Sequence, residues 1–204
     1  MERLLEGFRR FRDTYWRSHR ELFQTLATKG QKPRALVIAC SDSRVDPQLI
    51  FGTTPGEVFV IRNIANVVPP YAPNAEHHGT SAALEFAVRT LAVEHVIVLG
   101  HSHCGGIAAL LRGPTPDSGD FVAPWMEIVA PARERALAAA AAKGEPAQRL
   151  CEHEGIKISL ENLKTFPWLR ERLAQGGLKL HGWHFDIEQG DLSQLDSTGT
   201  FRPI

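Results

Sequence analysis

Two short stretches of the chain hold residue types that can do chemistry. "ACSDSRVDP", residues Ala39 to Pro47, crowds Cys40, Asp42, Arg44 and Asp46 into the turn that follows an apolar run. "GHSHCGG", residues Gly100 to Gly106, sets His101 and Cys104 three apart, a spacing that lets both side chains reach one small ion. Two thiolates and an imidazole make a three-ligand zinc site, because soft sulfur ligands favour zinc over magnesium or calcium. Three protein ligands leave one tetrahedral position open, as in catalytic rather than structural zinc sites. Each half alone has a plainer reading: a cysteine at a strand end is commonly packing, and a His-x-x-Cys pair can arise by chance. A redox pair is disfavoured by the lack of C-x-x-C. Neither phosphate-loop pattern is present, and a cysteine phosphatase needs a longer anion cradle than the stretch between Cys40 and Arg44. Cys151, in "RLCEHEG", has no partner at a metal-binding offset and reads as a core or surface thiol.

The elements that must position these turns can be read from periodicity. "RALVIAC", "EVFVIRN" and "EHVIVLGH" are short apolar runs ended by polar residues, the pattern of buried strands, and "LKLHGWHFDI" reads as a fourth. "GTSAALEFAVRTLA" predicts a helix capped by Thr80 or Ser81, with Leu84, Ala87, Val88 and Leu91 on one face. Strands alternating with helices imply an α/β fold, a mostly parallel sheet with helices on both faces. In such sheets the carboxyl ends of strands converge at a topological switch point, where ligands collect. Residues 113–119 read as a Pro/Gly-rich loop, and the alanine-rich stretch at 137–143 as a helix. "ISLENLKTFPWLRERLAQGG" reads as two helices broken near Pro167. Residues 1–30 place Leu4, Leu5, Phe8, Phe11 and Tyr15, then Leu22, Phe23 and Leu26, at helical spacings. They form a helical arm that packs either on its own domain or on a partner subunit.

Composition narrows the class. The 204 residues suit one domain, 1–204, and no repeat or shift in composition marks a second. Basic and acidic residues balance at 23 each, so no global field recommends nucleic acid or an anionic membrane as partner. Three cysteines argue against a disulfide framework, and no apolar run reaches membrane-spanning length or resembles a signal peptide. The expectation is a cytoplasmic protein.

"CSDSR" followed downstream by "GHSHCGG", with "PGEVFVIRNIANVVPP" between them and "HGWHFDIEQGDL" after, resembles the beta-class carbonic anhydrases. The likeness covers most of the chain. It implies one Zn2+ per subunit, held by Cys40, His101 and Cys104. The implied reaction is reversible hydration of carbon dioxide to bicarbonate and a proton, by attack of zinc-bound hydroxide on CO2. It also implies a parallel sheet of four strands with an added edge strand. Self-association as a dimer or tetramer, with swapped N-terminal helices, moves residues 1–30 towards a partner subunit.

Within that resemblance Asp42 and Arg44 take catalytic roles. Asp42 accepts the hydroxide's proton and so aims its lone pair, and Arg44 holds Asp42 through a bidentate pair. Two thiolates weaken the ion's pull on water, so activity is expected to rise into the alkaline range. In a closed, bicarbonate-regulated form Asp42 would itself ligate zinc. Family members with that form carry a tryptophan three residues before the first cysteine and a glycine immediately before it. Val37 and Ala39 stand there, which implies the open subclass. The substrate pocket carries over to Gln31, Phe59, Ile64, Phe86 (where a tyrosine is common) and the backbone N–H of Gly105. His77, His78 and His103 are either proton relays or solvated residues, and His153, His181 and His184 carry no usable spacing. Asp46 and Arg62 read as a structural pair. Two further functions keep the same scaffold: a zinc hydrolase acting on a CO2 analogue such as carbon disulfide, and a non-catalytic zinc- or bicarbonate-binding protein.

Overall fold

Branched and small apolar residues give the chain its strands, and the polar turns after them give the strands their ends. The computed structural model describes residues 1–74, 76–113 and 119–204, so positions 114–118 of the expected loop lie outside the described residues. In chain order the elements are α1 (Glu2–Phe11), a π-helical turn (Arg12–Trp16), α2 (Arg20–Lys29), β1 (Ala35–Cys40), α3 (Pro47–Ile50) and β2 (Val58–Asn63). Then come α4 (Gly79–Glu85) with a second π-helical turn (Phe86–Thr90), β3 (His95–His101), α5 (Gly105–Arg112) and α6 (Val122–Glu127). The chain ends through α7 (Ala130–Lys143), α8 (Ala147–Leu163), α9 (Pro167–Ala174), β4 (Lys179–Phe185), β5 (Leu192–Leu195) and β6 (Phe201–Pro203).

The six strands form one sheet in the order β2-β1-β3-β4-β5-β6. β2, β1, β3 and β4 run parallel, while β5 and β6 add antiparallel. The sheet therefore has one strand more than the four-plus-one expected. β6 is three residues long and ends in Pro203, so it has no alternating pattern to read and sits at an edge, where proline is tolerated. Leu36 and Ile38 of β1 join Val96 and Val98 of β3 in a core closed by Leu84, Ala87 and Val88 of the α4 segment and Ile156 and Leu163 of α8. The opposite face buries Val37, Ala39, Ile97 and Leu99 against Phe51, Val58 and Trp183.

One local detail departs from the periodicity reading. α4 starts at Gly79 with His78 at its cap and no side-chain cap bond. Thr80 and Ser81 fall inside the first turn instead, and Thr80 Oγ1 accepts a hydrogen bond from Asn63 Nδ2 at 3.3 Å. The arm is helical as expected, yet no residue of α1, the π-helical turn or α2 is buried. Leu4 is 69% exposed and Phe8 58%. Phe11 at the end of α1 meets Phe23 of α2, with ring centroids 6.1 Å apart, while Leu4, Leu5 and Phe8 leave the rest of the apolar face of α1 exposed among the described residues. Among the described residues no helix is long and apolar enough to cross a membrane.

α8 lies on β3 and β4 only because glycine lets it. A Cβ at Gly182 would stand 2.9 Å from both Ile156 Cγ2 and Leu160 Cδ1. Ile156 is branched and fully buried, so it cannot swing aside. Gly182→Ala is expected to lower unfolding free energy by about 1–3 kcal/mol. Urea denaturation should show this as a reduced midpoint at unchanged slope.

Candidate metal centre

β1 and β3 are adjacent and parallel, and the chain leaves β1 towards β2 on one side and β3 on the other. Their carboxyl ends thus form the switch point of the sheet. Cys40 is the last residue of β1, His101 the last of β3, and Cys104 caps the start of α5. All three are buried, and one ligating atom from each lies within 4.8 Å of the others. His101 Nδ1–H donates to Ser102 O at 2.8 Å, which leaves Nε2 as the free nitrogen. That Nε2 is buried and has no hydrogen-bond partner. An unpartnered imidazole nitrogen facing two thiols is the donor set of a tetrahedral soft metal, so these residues fit zinc.

The cluster's electrostatics point the same way. Hydrogen bonding from Cys104 lowers the pKa of Cys40 strongly, with the Asp42 and Ala65 amides adding to it. The same contact and burial raise Cys104, against which the Gly106 and Ile107 amides of α5 work. The pair therefore shares one negative charge readily, and a divalent cation is what allows both sulfurs to carry one. Cys151 differs: burial pushes it up to about 12, and it packs in the core as an inert thiol.

Asp42 and Arg44 stand beside the cluster. Arg44 Nε donates to Asp42 Oδ1 at 2.9 Å and Nη2 to Oδ2 at 2.7 Å, a bidentate fork, and the Arg44 amide adds a third bond at 2.9 Å. This hydrogen bonding holds the Asp42 carboxyl well below the usual carboxylate range. Arg44 Nη2 also donates to His103 O at 3.1 Å, tying the first ligand turn to the second. His103 has φ +56°, a left-handed conformation that a non-glycine residue keeps only when its surroundings hold it. The histidine itself reaches outward to Glu188 at 3.1 Å.

Arg62 pairs with Asp46 at 3.0 Å and does more than pair. Its Nε donates to Cys40 O at 2.9 Å and its Nη2 to Asp42 O at 2.7 Å, so one guanidinium holds the carbonyls at both ends of the turn. Asp46 Oδ1 in turn accepts the Gln48 and Leu49 amides and caps α3. On the other side Cys104 N–H donates to Glu152 Oε1 at 3.1 Å, and Glu152 Oε2 accepts from His184 Nε2 at 3.1 Å. Neither Glu152 nor His184 was singled out by motif. The available signal was position: Glu152, Ile156, Ser159 and Leu163 recur on one helical stripe, and all are buried.

The remaining predicted residues divide into two groups. Ile64 lies at the metal end: a Cβ on Gly106, in the first turn of α5, would stand 2.9 Å from Ile64 Cγ2. Gly105 opens the same helix, with free space on its side-chain side. Gln31, Phe59 and Phe86 are elsewhere. Phe59 sits four residues before the end of β2, about 13 Å of strand from it, with its ring 5.9 Å from that of Phe86. Gln31 and Phe86 border an open groove with Phe23, Leu26 and Pro55, and Phe86 is 46% exposed. Within one chain the structure does not bring these three to the cluster of Cys40, His101 and Cys104.

Known proteins match this arrangement. The family model for carbonic anhydrase matches residues 35–192, from the start of β1 to β5. A carbonic anhydrase from Synechococcus elongatus is 40% identical over 98% of this chain and 73% of its own length. The solved structure of the beta-carbonic anhydrase CcaA superposes with a TM-score of 0.92 at 40% identity, covering 100% of this chain and 99% of that one. A structure from a study of two tetrameric beta-carbonic anhydrases of Sordaria macrospora follows at 0.83 and 32% identity, covering 95% of each chain. With likeness running the full length and the paired ligand turns at the switch point of the sheet, this chain belongs to the beta-carbonic anhydrase family of enzymes.

Proposed function

We propose that the protein catalyses zinc-dependent hydration of carbon dioxide, with Cys40, His101 and Cys104 as the metal ligands and Asp42 and Arg44 as the groups that aim the attacking oxygen. The observation that carries this is the buried, unpartnered Nε2 of His101 set against two thiols. Bound zinc supplies Lewis acidity that activates water, and with two thiolates cancelling its charge that activation falls on the alkaline side of neutrality.

The chain's own residues supply the rest. Asp42 is ionised across the working range, so it acts as a fixed acceptor for one proton of a water in the cleft. Arg44 prevents the carboxylate from rotating and, through His103 O, keeps it in register with the second ligand turn. Ile64 and the open side of Gly105 give a small nonpolar molecule an apolar wall next to an amide-bearing helix start. Val37 and Ala39, with Asp42 engaged by Arg44, favour the open subclass, in which bicarbonate does not draw Asp42 onto the metal.

Gln31, Phe59 and Phe86 fit the reading if a second copy brings its groove against this metal end. The uncovered apolar face of α1 and the exposure of Phe86 support that self-association. The chain then works as one domain, 1–204, whose residues 1–30 clasp the partner. The Sordaria relatives are tetrameric, which makes a dimer or tetramer the state to look for.

Stopped-flow hydration assays should show a rate that vanishes on zinc removal and returns with zinc. The rate should climb between pH 7 and 9 without any contribution from Asp42, and a profile already flat at pH 6 would count against two-thiolate ligation. Asp42→Asn should keep full zinc content and lose about 100-fold in kcat/KM, since it removes aim and not metal. Replacing both Leu4 and Phe8 by serine should lower the molar mass measured by light scattering. An unchanged oligomer would refute the arm's role.

A further inference from the structure

Behind the second ligand turn lies a buried polar group that the proposed chemistry does not use. Glu152 of α8 is 1% exposed at its side chain and His184 of β4 is 3% exposed. A carboxylate withdrawn from water to that degree is costly unless its lone pairs are met, and a well-packed apolar side chain would serve the core better. Its bonds show what it does hold. Oε1 accepts Cys104 N–H at 3.1 Å and Gln148 Nε2–H at 2.7 Å, while Oε2 accepts His184 Nε2–H at 3.1 Å. Gln148 Nε2 also donates to Cys104 O at 3.1 Å. Gln148 and Glu152, one turn apart on α8, thus grip both polar atoms of the ligand's backbone.

We propose that Glu152, anchored by His184, is a positioning residue for the metal centre. It fixes where Cys104 stands relative to His101. His184 pairs with Gly100 in the β3/β4 register, one residue before His101. The contacts therefore run from the strand beside His101 to the far end of the turn: His184 on β4, Glu152 on α8, and Cys104. The left-handed conformation of His103, just before Cys104, persists only where its surroundings hold it, and the Glu152 and Gln148 bonds to the Cys104 peptide are among those surroundings. Outer partners of metal ligands commonly act in this way, by limiting the motion of the ligands.

This inference rests on the zinc reading, and the test separates the two. Zinc dissociation constants would be measured for the full chain by competition with a chelator, beside the visible spectrum of the cobalt-substituted protein and the thermal midpoint. Glu152→Leu, which removes the acceptor, is expected to weaken zinc binding roughly 10–100-fold and to alter the cobalt bands. Glu152→Gln, which keeps an oxygen for the Cys104 N–H, is expected to recover most of that loss. Cys151→Ala, next along the same buried helix, serves as the control for general loosening and should bind zinc as the unmodified chain does. If Glu152→Leu does not fold, His184→Leu decides, with weaker zinc binding expected because Glu152 loses its anchor. The proposal fails if the Leu variants bind zinc as the parent does. It also fails if folded Glu152→Gln is as poor as Glu152→Leu, or if Cys151→Ala loses as much affinity for the same drop in thermal midpoint. A parent chain that binds no zinc would overturn the functional reading itself.

Discussion

The parallel pairing of β1 with β3 is the constraint on which the candidate metal centre depends. In register, Leu36 lies opposite Val96 and Ile38 opposite Val98, and all four are buried in the same core. Both faces of these strands are buried and apolar, so a slip of one residue in β1 would set Val37 and Ala39 where Leu36 and Ile38 now pack. Replacing isoleucine by alanine in a packed core costs about 2–5 kcal/mol, so side-chain volume specifies the register. Once the register is set, the strand ends are set, and Cys40 and His101 have no choice but to meet. The ligand geometry is in this sense a consequence of packing several residues away from any chemistry.

What packing does not fix is the path of the two turns after the strands, and here charged side chains take over. Arg62 holds the carbonyls of Cys40 and Asp42, Arg44 holds the Asp42 carboxylate and the His103 carbonyl, and Glu152 with Gln148 holds the Cys104 peptide. Most of these bonds end on backbone atoms of the ligand turns. An exposed ion pair contributes little to stability, and Arg44 is half exposed. Its place here is explained by geometry: a planar fork can restrain one carboxylate and reach across to a second loop in a way that a lysine cannot.

The amount legible in the sequence follows from the range of the forces involved. The four parallel strands, the helix break near Pro167 and the Arg62–Asp46 pair rest on local pattern or near neighbours, and each is found in the structure, whereas Cys151 reads equally as a core or a surface thiol and proves buried. The helix cap expected at Thr80 or Ser81 lies two or three residues earlier, at His78, because a cap depends on where the preceding loop releases the chain. β6 was missed because three residues carry no period. Glu152 is hidden in the sequence because "CEHE" looks like a solvated run of charges, and only the stripe through Ile156, Ser159 and Leu163 betrays its burial. Gln31 and Phe86 lie beyond local reasoning, since they border a groove of their own chain away from the cluster and, in the proposed enzyme, meet it only in another copy.

That division has a physical logic. The metal half of the site is built from buried atoms of one chain, held by a register that folding alone enforces. The groove bordered by Gln31 and Phe86 is open, and the arm beside it exposes large apolar groups that water disfavours. Carbon dioxide offers little for polar recognition, so a pocket for it must be dry and close-fitting, and a shallow surface groove on a single chain is neither. Association removes water from both the groove and the arm in one step. In the proposed enzyme the same hydrophobic burial that holds the copies together would therefore also dry the pocket, which gives the arm, whose Phe23 and Leu26 line the groove, a part in catalysis.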